Sequence, residues 1–317
     1  MKVLLITHKS DIDGATPVIL SKIVFGEIDY ILLEASESNS TILSLIENQT
    51  FDKYDNVFVT DLTINSDICE KIDGNEILRE KIKIFDHHNS NLFVNDFDFG
   101  TVIDIDEQGN KQSGTSLFYK YLIKFYDNEN LKKNSVRDFV ELVRQYDTWE
   151  WFEKYNNQNA KFLSDIFGIF GVDYFIKYYY DFLKEQDNFK FSDKEKYLLD
   201  IEQEKINKYI EKKSEQITPI KLLGHNIGVV FAENYRSELG NSLARKFEDK
   251  YDFMIIINIG RGISYRGCKN IDLGKFASLY GGKGHVNASG SPLPSDLTEN
   301  VIKMILGDEV IINELEK

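Results

Sequence analysis

Lys81-Ile82-Lys83-Ile84-Phe85-Asp86-His87-His88-Asn89 is the stretch on which the fold turns. Residues 81–85 read as a short buried strand, and Asp86, His87 and His88 stand where it ends. In an open α/β sheet, ligands bind at the carboxyl ends of the strands. Adjacent histidines at such an end point to different sides of the backbone, so one can face a metal and the other a substrate. A polar strand-to-loop junction uses the same residue types, and the weight of the reading therefore falls on what the other strand ends carry.

Towards the N-terminus, residues 2–7 read as a buried strand, followed by His8-Lys9-Ser10-Asp11-Ile12-Asp13-Gly14 and an apolar helix to about Phe25. Residues 28–33 make a second strand, with a helix near 40–48. Residues 56–60 make a third, ending at Asp61-Leu62-Thr63, with Asn65 or Ser66 capping the next helix. Residues 101–105 make a fifth. Strands alternating with helices mean parallel pairing and one shared carboxyl edge. On that edge stand His8, Asp11 and Asp13 after the first strand, Asp61 after the third, and Asp86, His87 and His88 after the fourth. Any one of these reads as a cap or turn residue. Their convergence on one edge reads as a site.

Beyond Gly109 the pattern becomes helical. Ser113-Gly114-Thr115 opens a helix to Tyr126, and Ser135 caps another that ends at Arg144-Gln145-Tyr146-Asp147-Thr148-Trp149. Asp147 reads either as a helix-end residue or as the further carboxylate a metal site needs. Helices rich in Phe and Tyr follow over about 158–183, with Tyr178-Tyr179-Tyr180 read as packing rather than as a base-stacking platform. Residues 192–217 form a long charged connecting helix, which divides the chain into a domain over 1–191 and a smaller one over 218–317. The smaller domain opens with a hairpin, 220–223 and 227–231, turning at Gly224-His225-Asn226. A helix from Ser237-Glu238-Leu239-Gly240-Asn241 to about Phe247 comes next, then strands at 254–259 and 263–265, the latter leading into Arg266. In Tyr280-Gly281-Gly282-Lys283-Gly284-His285-Val286-Asn287-Ala288-Ser289-Gly290, glycines let backbone amides approach an anion, while Lys283 and His285 supply donors. Arg266 adds a fork suited to phosphate, although a tight turn also accounts for the glycines.

At 317 residues the chain has room for about two domains and a sizeable core. A net charge of -14 argues against tight binding to long nucleic acid. Short anionic substrates stay open, because bound cations reverse the local field. No apolar run approaches the roughly 20 residues of a membrane span, and the N-terminus runs straight into a strand. Cytoplasmic residence without a membrane partner is the expectation. Cys69 and Cys268, far apart in the chain, argue against a disulfide framework and fit a reducing compartment.

Carboxylates and imidazoles without thiolates are a hard, mixed O/N ligand set, which suits Mn²⁺, Mg²⁺ or Fe²⁺ better than structural zinc. The set is large enough for two ions sharing one carboxylate. Two ions roughly 3.5–4 Å apart activate a bridging water and clamp the attacking and leaving oxygens at phosphorus. Phosphoester hydrolysis is the favoured reaction. Neither a Gly-x-x-x-x-Gly-Lys-[Ser/Thr] loop nor a Gly-x-Gly-x-x-Gly after the first strand is present, which counts against a nucleotide kinase or a dehydrogenase.

These motifs, in this order, resemble the DHH phosphoesterase superfamily in the branch with a DHHA1-type C-terminal domain. Val143-Arg144-Gln145-Tyr146-Asp147-Thr148-Trp149-Glu150-Trp151 and Ser237-Glu238-Leu239-Gly240-Asn241 look most like its nanoRNase type of bacterial oligoribonuclease. The resemblance implies an α/β fold: an N-terminal DHH domain with a parallel sheet flanked by helices, a long linker helix and a smaller α/β DHHA1 domain. It implies that His8, Asp11 and Asp61 hold one Mn²⁺, and that Asp13, Asp61, His87 and Asp147 hold another, with Mg²⁺ or another divalent ion as substitute. Asp86 would orient the neighbouring histidine and His88 would contact the scissile phosphate or its leaving oxygen. Arg266, His285, Asn241 and the backbone at Gly281, Gly282 and Gly284 would bind substrate. Lys283 stands where the family usually has glycine, and Lys9 and Ser10 lengthen the spacing between His8 and Asp11. The implied partners are short RNA oligonucleotides or small nucleotides, with a homodimer left open. Competing expectations are hydrolysis of 3′-phosphoadenosine 5′-phosphate or of cyclic and linear dinucleotides, and a non-catalytic nucleotide-binding module.

Overall fold

The structure is a computed structural model that describes residues 1–269 and 271–307; Asn270 and residues 308–317, the end of the expected C-terminal domain, lie outside the described residues. It divides into two compact units, Met1–Leu199 and Asp200–Lys317.

The first unit opens with β1 (Val3–His8), α1 (Ile12–Phe25), β2 (Asp29–Leu33), α2 (Ser38–Glu47), β3 (Asn56–Thr60), α3 (Ser66–Asp73), α4 (Glu76–Lys81), β4 (Ile82–Asp86) and the short β5 (Gly100–Val102). The strands form one parallel sheet in the order β2-β1-β3-β4-β5. Their near-continuous apolar runs have a simple cause, since both faces of the sheet are covered. Val3, Leu5, Phe58 and Phe85 pack on one side against Ala15, Ile19, Phe118 and Phe139. Their neighbours Leu4, Ile6, Val57, Val59, Ile82 and Ile84 pack on the other against Ile42, Ile68 and Ile72. Fully burying each such side chain stabilises by about 1.5–3 kcal/mol. The alternation fixes register, because a one-residue slip would exchange the two faces.

Helices complete the unit: α5 (Gly114–Phe125), α6 (Asn134–Asp147), α7 (Glu150–Glu153), α8 (Gln158–Phe170) and α9 (Val172–Glu185). Ser113 caps α5 as expected, in a reciprocal box with Ser116. Ser135 does not cap α6: Lys133 holds that position, and Ser135 sits inside the helix with its hydroxyl donating to the Gln186 carbonyl at 2.6 Å. Tyr179 is fully buried and donates to Glu195 at 2.6 Å, so the tyrosine run is packing. The charged helix α10 (Asp193–Ser214) contains the boundary between the units.

The second unit continues with β6 (Thr218–Leu222), β7 (His225–Phe231), α11 (Arg236–Lys246), β8 (Phe253–Asn258), β9 (Gly262–Arg266), α12 (Leu273–Ser278), β10 (Lys283–Gly284), β11 (Ala288–Ser291) and α13 (Leu297–Leu306). Its sheet has the order β10-β11-β9-β8-β7-β6, parallel only between β7 and β8. The hairpin turn falls one residue earlier than the sequence suggested, on Leu223 and Gly224. Both have positive φ (50° and 85°), the backbone of a two-residue turn that matches strand twist. Among the described residues no helix is long and apolar enough to cross a membrane.

Candidate metal centre

The site is assembled at the carboxyl edge of the parallel sheet. His8 is the last residue of β1, and its Nδ1 lies 2.8 Å from Asp11 Oδ2. The other Asp11 oxygen caps α1 by accepting the Gly14 amide at 2.9 Å. Asp13 follows in the first turn of α1 and is fully buried. Its carboxylate accepts the Gly114 and Thr115 amides (2.8 and 3.0 Å) at the start of α5. Proline at position 17 lacks the amide that would reach back to the Asp13 carbonyl, and that carbonyl accepts the Thr115 hydroxyl instead, at 2.8 Å. Asp13 is thus held from a helix one hundred residues away in sequence.

Asp61, just past β3, adopts a left-handed backbone with φ 53°, a conformation that aspartate tolerates better than most residues. Its two oxygens lie near different imidazoles. Oδ2 lies 3.6 Å from His8 Nδ1, and Oδ1 lies 3.5 Å from His87 Nε2. His87 Nε2 also lies 3.4 Å from Asp147 Oδ2, at the end of α6. Asp86 is fully buried and accepts the amides of His87 (2.8 Å) and His88 (3.4 Å), the His88 Nδ1 (2.8 Å) and the Asn91 side-chain amide. The ring it orients is therefore that of His88, two residues on.

Among the described residues, ligand-type atoms gather into three overlapping groups: His8, Asp11 and Asp61; Asp13, His87 and Asp147; and Asp61, Asp86, His87 and His88. His87 Nε2 and Asp147 Oδ2 are buried, lie 3.4 Å apart and have no hydrogen-bond partner among the described residues. Buried polar atoms are rarely left so, and a hard cation shared by imidazole and carboxylate would satisfy both. The residues fit a divalent metal.

The electrostatics agree. Burial and the nearby charge of Asp61 push Asp13 up to about 7. Burial and the charge of Asp13 push Asp147 well above the usual carboxylate range. The bond to Asp11 and the closeness of Asp61 raise His8 to about 10. Burial pulls His87 down, but the carboxylates of Asp61, Asp147 and Asp13 outweigh it and raise it to about 10. A cation bound among these groups would compete with protons.

In the second unit Arg266 ends β9. Its Nη1 donates to the carbonyls of Tyr265 (2.9 Å) and Ser289 (3.3 Å), and burial together with the charge of Arg236 lowers its pKa. A Cβ on Gly240 would stand 2.6 Å from Arg266 Cγ, so that glycine makes room for the arginine; Asn241 is exposed beside it. In the glycine-rich stretch, the Gly281 and Gly282 amides donate to Ser278 and Ala277 carbonyls. Gly282 and Gly284 pack against the backbone of β11, while Lys283 and His285 are exposed.

Several supporting residues were not singled out from sequence. Glu34 follows β2 on the same edge, with Oε2 3.8 Å from His8 Nε2, and its place at a strand end was a usable signal. Pro17 was another, since it orphans the Asp13 carbonyl. Asn91, which also donates to the Leu62 carbonyl at 3.1 Å, left no periodic trace.

A parallel sheet covered on both faces, with aspartates and histidines clustered at its carboxyl edge, is the build of a metal-dependent phosphoesterase. No family model matches the chain. The chain is 35% identical over 308 residues to the oligoribonuclease NrnB of Bacillus subtilis strain 168, covering 92% of this chain and 73% of that protein. Among solved structures, exonuclease RecJ bound to manganese matches with a TM-score of 0.51 at 12% identity, over 96% of this chain and 88% of that one, a likeness of fold. The pGpG-specific phosphodiesterase PggH from Vibrio cholerae matches with a TM-score of 0.49 at 13% identity, over 96% and 97%. This chain belongs to the DHH/DHHA1 phosphoesterase family, as a homologue of NrnB.

Proposed function

We propose that the protein hydrolyses phosphodiester bonds in short oligoribonucleotides, using two Mn²⁺ ions and releasing 5′-mononucleotides. The observation that carries this reading is the placing of Asp61, whose two oxygens face the His8 and His87 imidazoles at 3.6 and 3.5 Å. His8, Asp11 and Asp61 would hold one ion, and Asp13, Asp61, His87 and Asp147 the other. When bound, such ions polarise phosphoryl oxygens and lower the pKa of water. The bond to Asp86 raises His88 above its ordinary value, which favours the protonated form that a general acid towards the leaving oxygen needs. Asp86 fixes the ring for that task. Residues 1–191 would act as the catalytic domain and 192–217 as the connection. Residues 218–317 would bind substrate, with Arg266, His285 and Asn241 as side-chain contacts; the Gly281 and Gly282 amides are already given to the Ser278 and Ala277 carbonyls, so of the glycine backbone Gly284 would serve a phosphate.

The test is product analysis over time with 5′-labelled RNA dimers to pentamers, with and without Mn²⁺, beside 3′-phosphoadenosine 5′-phosphate and cyclic di-AMP. Mn²⁺-dependent, stepwise release of mononucleotides is expected. Turnover of either other substrate without turnover of RNA would overturn the assignment.

A pH dependence of metal binding goes with the ligand set. Imidazoles raised to about 10 still carry protons at neutral pH, and a cation must displace them. Binding therefore releases protons, and apparent affinity rises with pH by at least about tenfold per unit between pH 6 and 8. Calorimetric titration of Mn²⁺ in buffers of different ionisation enthalpy measures the released protons directly. A flat affinity would mean that these imidazoles are not ligands.

A further inference from the structure

Helix α6 ends at Asp147, and the chain then turns through Trp149. Consecutive Cα atoms are about 3.8 Å apart, so Trp149 Cα lies within about 7.6 Å of Asp147 Cα. Trp149 has φ 65°, the left-handed position after a helix end that glycine usually occupies. The turn is held by the Trp149 amide on the Tyr146 carbonyl (3.1 Å), by Lys111 Nζ on the Thr148 carbonyl (3.3 Å) and by the Phe152 amide on the Trp149 carbonyl (3.2 Å). A bulky aromatic thus stands, in a well-anchored conformation, at a left-handed position that glycine, asparagine or aspartate more often fills.

Trp149 is 48% exposed and Phe152 53% exposed. Their ring centroids are 6.1 Å apart, and the buried Trp151 braces both edge-on, at 5.4 Å and 5.6 Å. Trp151 is itself backed by Tyr146 at 6.3 Å. The rings are therefore ordered before anything binds, while half of their surface faces solvent. The Trp149 and Phe152 rings are tilted by 49° to one another, so a flat base stacks on one while the other borders it, an area far smaller than the 1,200–2,000 Å² or so of a stable protein interface. A base lies one sugar away from its phosphate, and the ligand cluster begins two residues away.

We infer that Trp149, with Phe152 beside it, is the stacking platform for a nucleobase of the oligoribonucleotide, an assignment that rests on the oligoribonuclease reading. Stacking is tolerant of base identity, so the platform selects nucleotides over other phosphoesters without reading sequence.

The chain's two tryptophans are Trp149 and Trp151, so its indole emission reports on this corner alone. With Mg²⁺ present, AMP quenches the emission and ribose 5-phosphate does not; Trp149→Ala loses the AMP response. On an RNA dinucleotide, Trp149→Ala lowers kcat/KM about 5- to 150-fold, mainly through KM, and Trp149→Phe restores most of the loss. The preference for that dimer over its abasic analogue shrinks by the same factor. If the alanine variant fails to fold, Trp149→Asn, which suits the left-handed backbone, replaces it. Unchanged dinucleotide kinetics in the variant would overturn the platform, as would reduced self-association as its sole effect. A parent enzyme that leaves RNA dimers intact would sink the oligoribonuclease reading instead, and the AMP response would then decide the platform by itself.

Discussion

Asp61→Asn is expected to lower Mn²⁺-dependent turnover by more than about 100-fold while leaving the fold in place. Loss of a group that merely supports a metal ligand already costs about 10- to 100-fold. Asp61 stands closer in, with one oxygen towards His8 and the other towards His87. Asparagine keeps the shape and accepts the left-handed backbone at φ 53°, whereas alanine there would add strain of about 1–2 kcal/mol. The Asp61 amide still donates to the Phe85 carbonyl at 3.0 Å. Stability without metal changes little, because the lost charge repels Asp13 and Asp147 but attracts His8 and His87. The contrast appears on adding metal. Mn²⁺ at 100 times its Kd stabilises the parent by about 2.7 kcal/mol, and the variant loses most of that gain. Paired turnover assays and thermal scans read both effects. Near-parent turnover in Asp61→Asn would refute a shared ligand.

Gly14→Ala is expected to lower stability by about 3 kcal/mol and to disturb the site. Helix propensity alone predicts the reverse, a gain of about 1 kcal/mol. Contact decides the sign, since a Cβ at position 14 would lie 2.0 Å from the His8 carbonyl oxygen and 2.8 Å from His8 Cβ. Relief requires α1 to move off β1. That movement strains the bond from the Thr7 hydroxyl to the Gly14 carbonyl (2.9 Å) and the Thr60 to Thr7 hydroxyl contact (2.7 Å) beneath it. It also shifts Asp11 and Asp13 relative to His8, and a displacement near 1 Å can cost about 100-fold in rate. A fall in melting temperature of about 6–12 °C, with weakened Mn²⁺ binding, is the expected result. A variant more stable than the parent would mean that α1 does not press on the strand end.

Much of this was legible in the chain. Apolar runs ending in His8, Asp61 and Asp86 marked β1, β3 and β4 because strands buried on both faces must be apolar throughout. The short helices α4, α7 and α12 were not legible, since four to six residues carry too little periodicity. Ser135 misled for a related reason: a serine fits a cap by propensity, but a carbonyl arriving from Gln186 claimed its hydroxyl.

By itself the sequence determined the sheet, its carboxyl edge and the residue types gathered there, because these follow from local apolar patterning and from chain order. Only the tertiary structure decided how those residues meet. It set Asp13 on the α5 amides, aimed the two Asp61 oxygens at different imidazoles, gave Asp86 to His88 rather than to its nearer neighbour, and left the Trp149 ring half in solvent. Most depend on contacts between segments far apart in the chain or on one backbone dihedral, and the Asp86 bond depends on a local ring orientation; none of these leaves a period in the sequence.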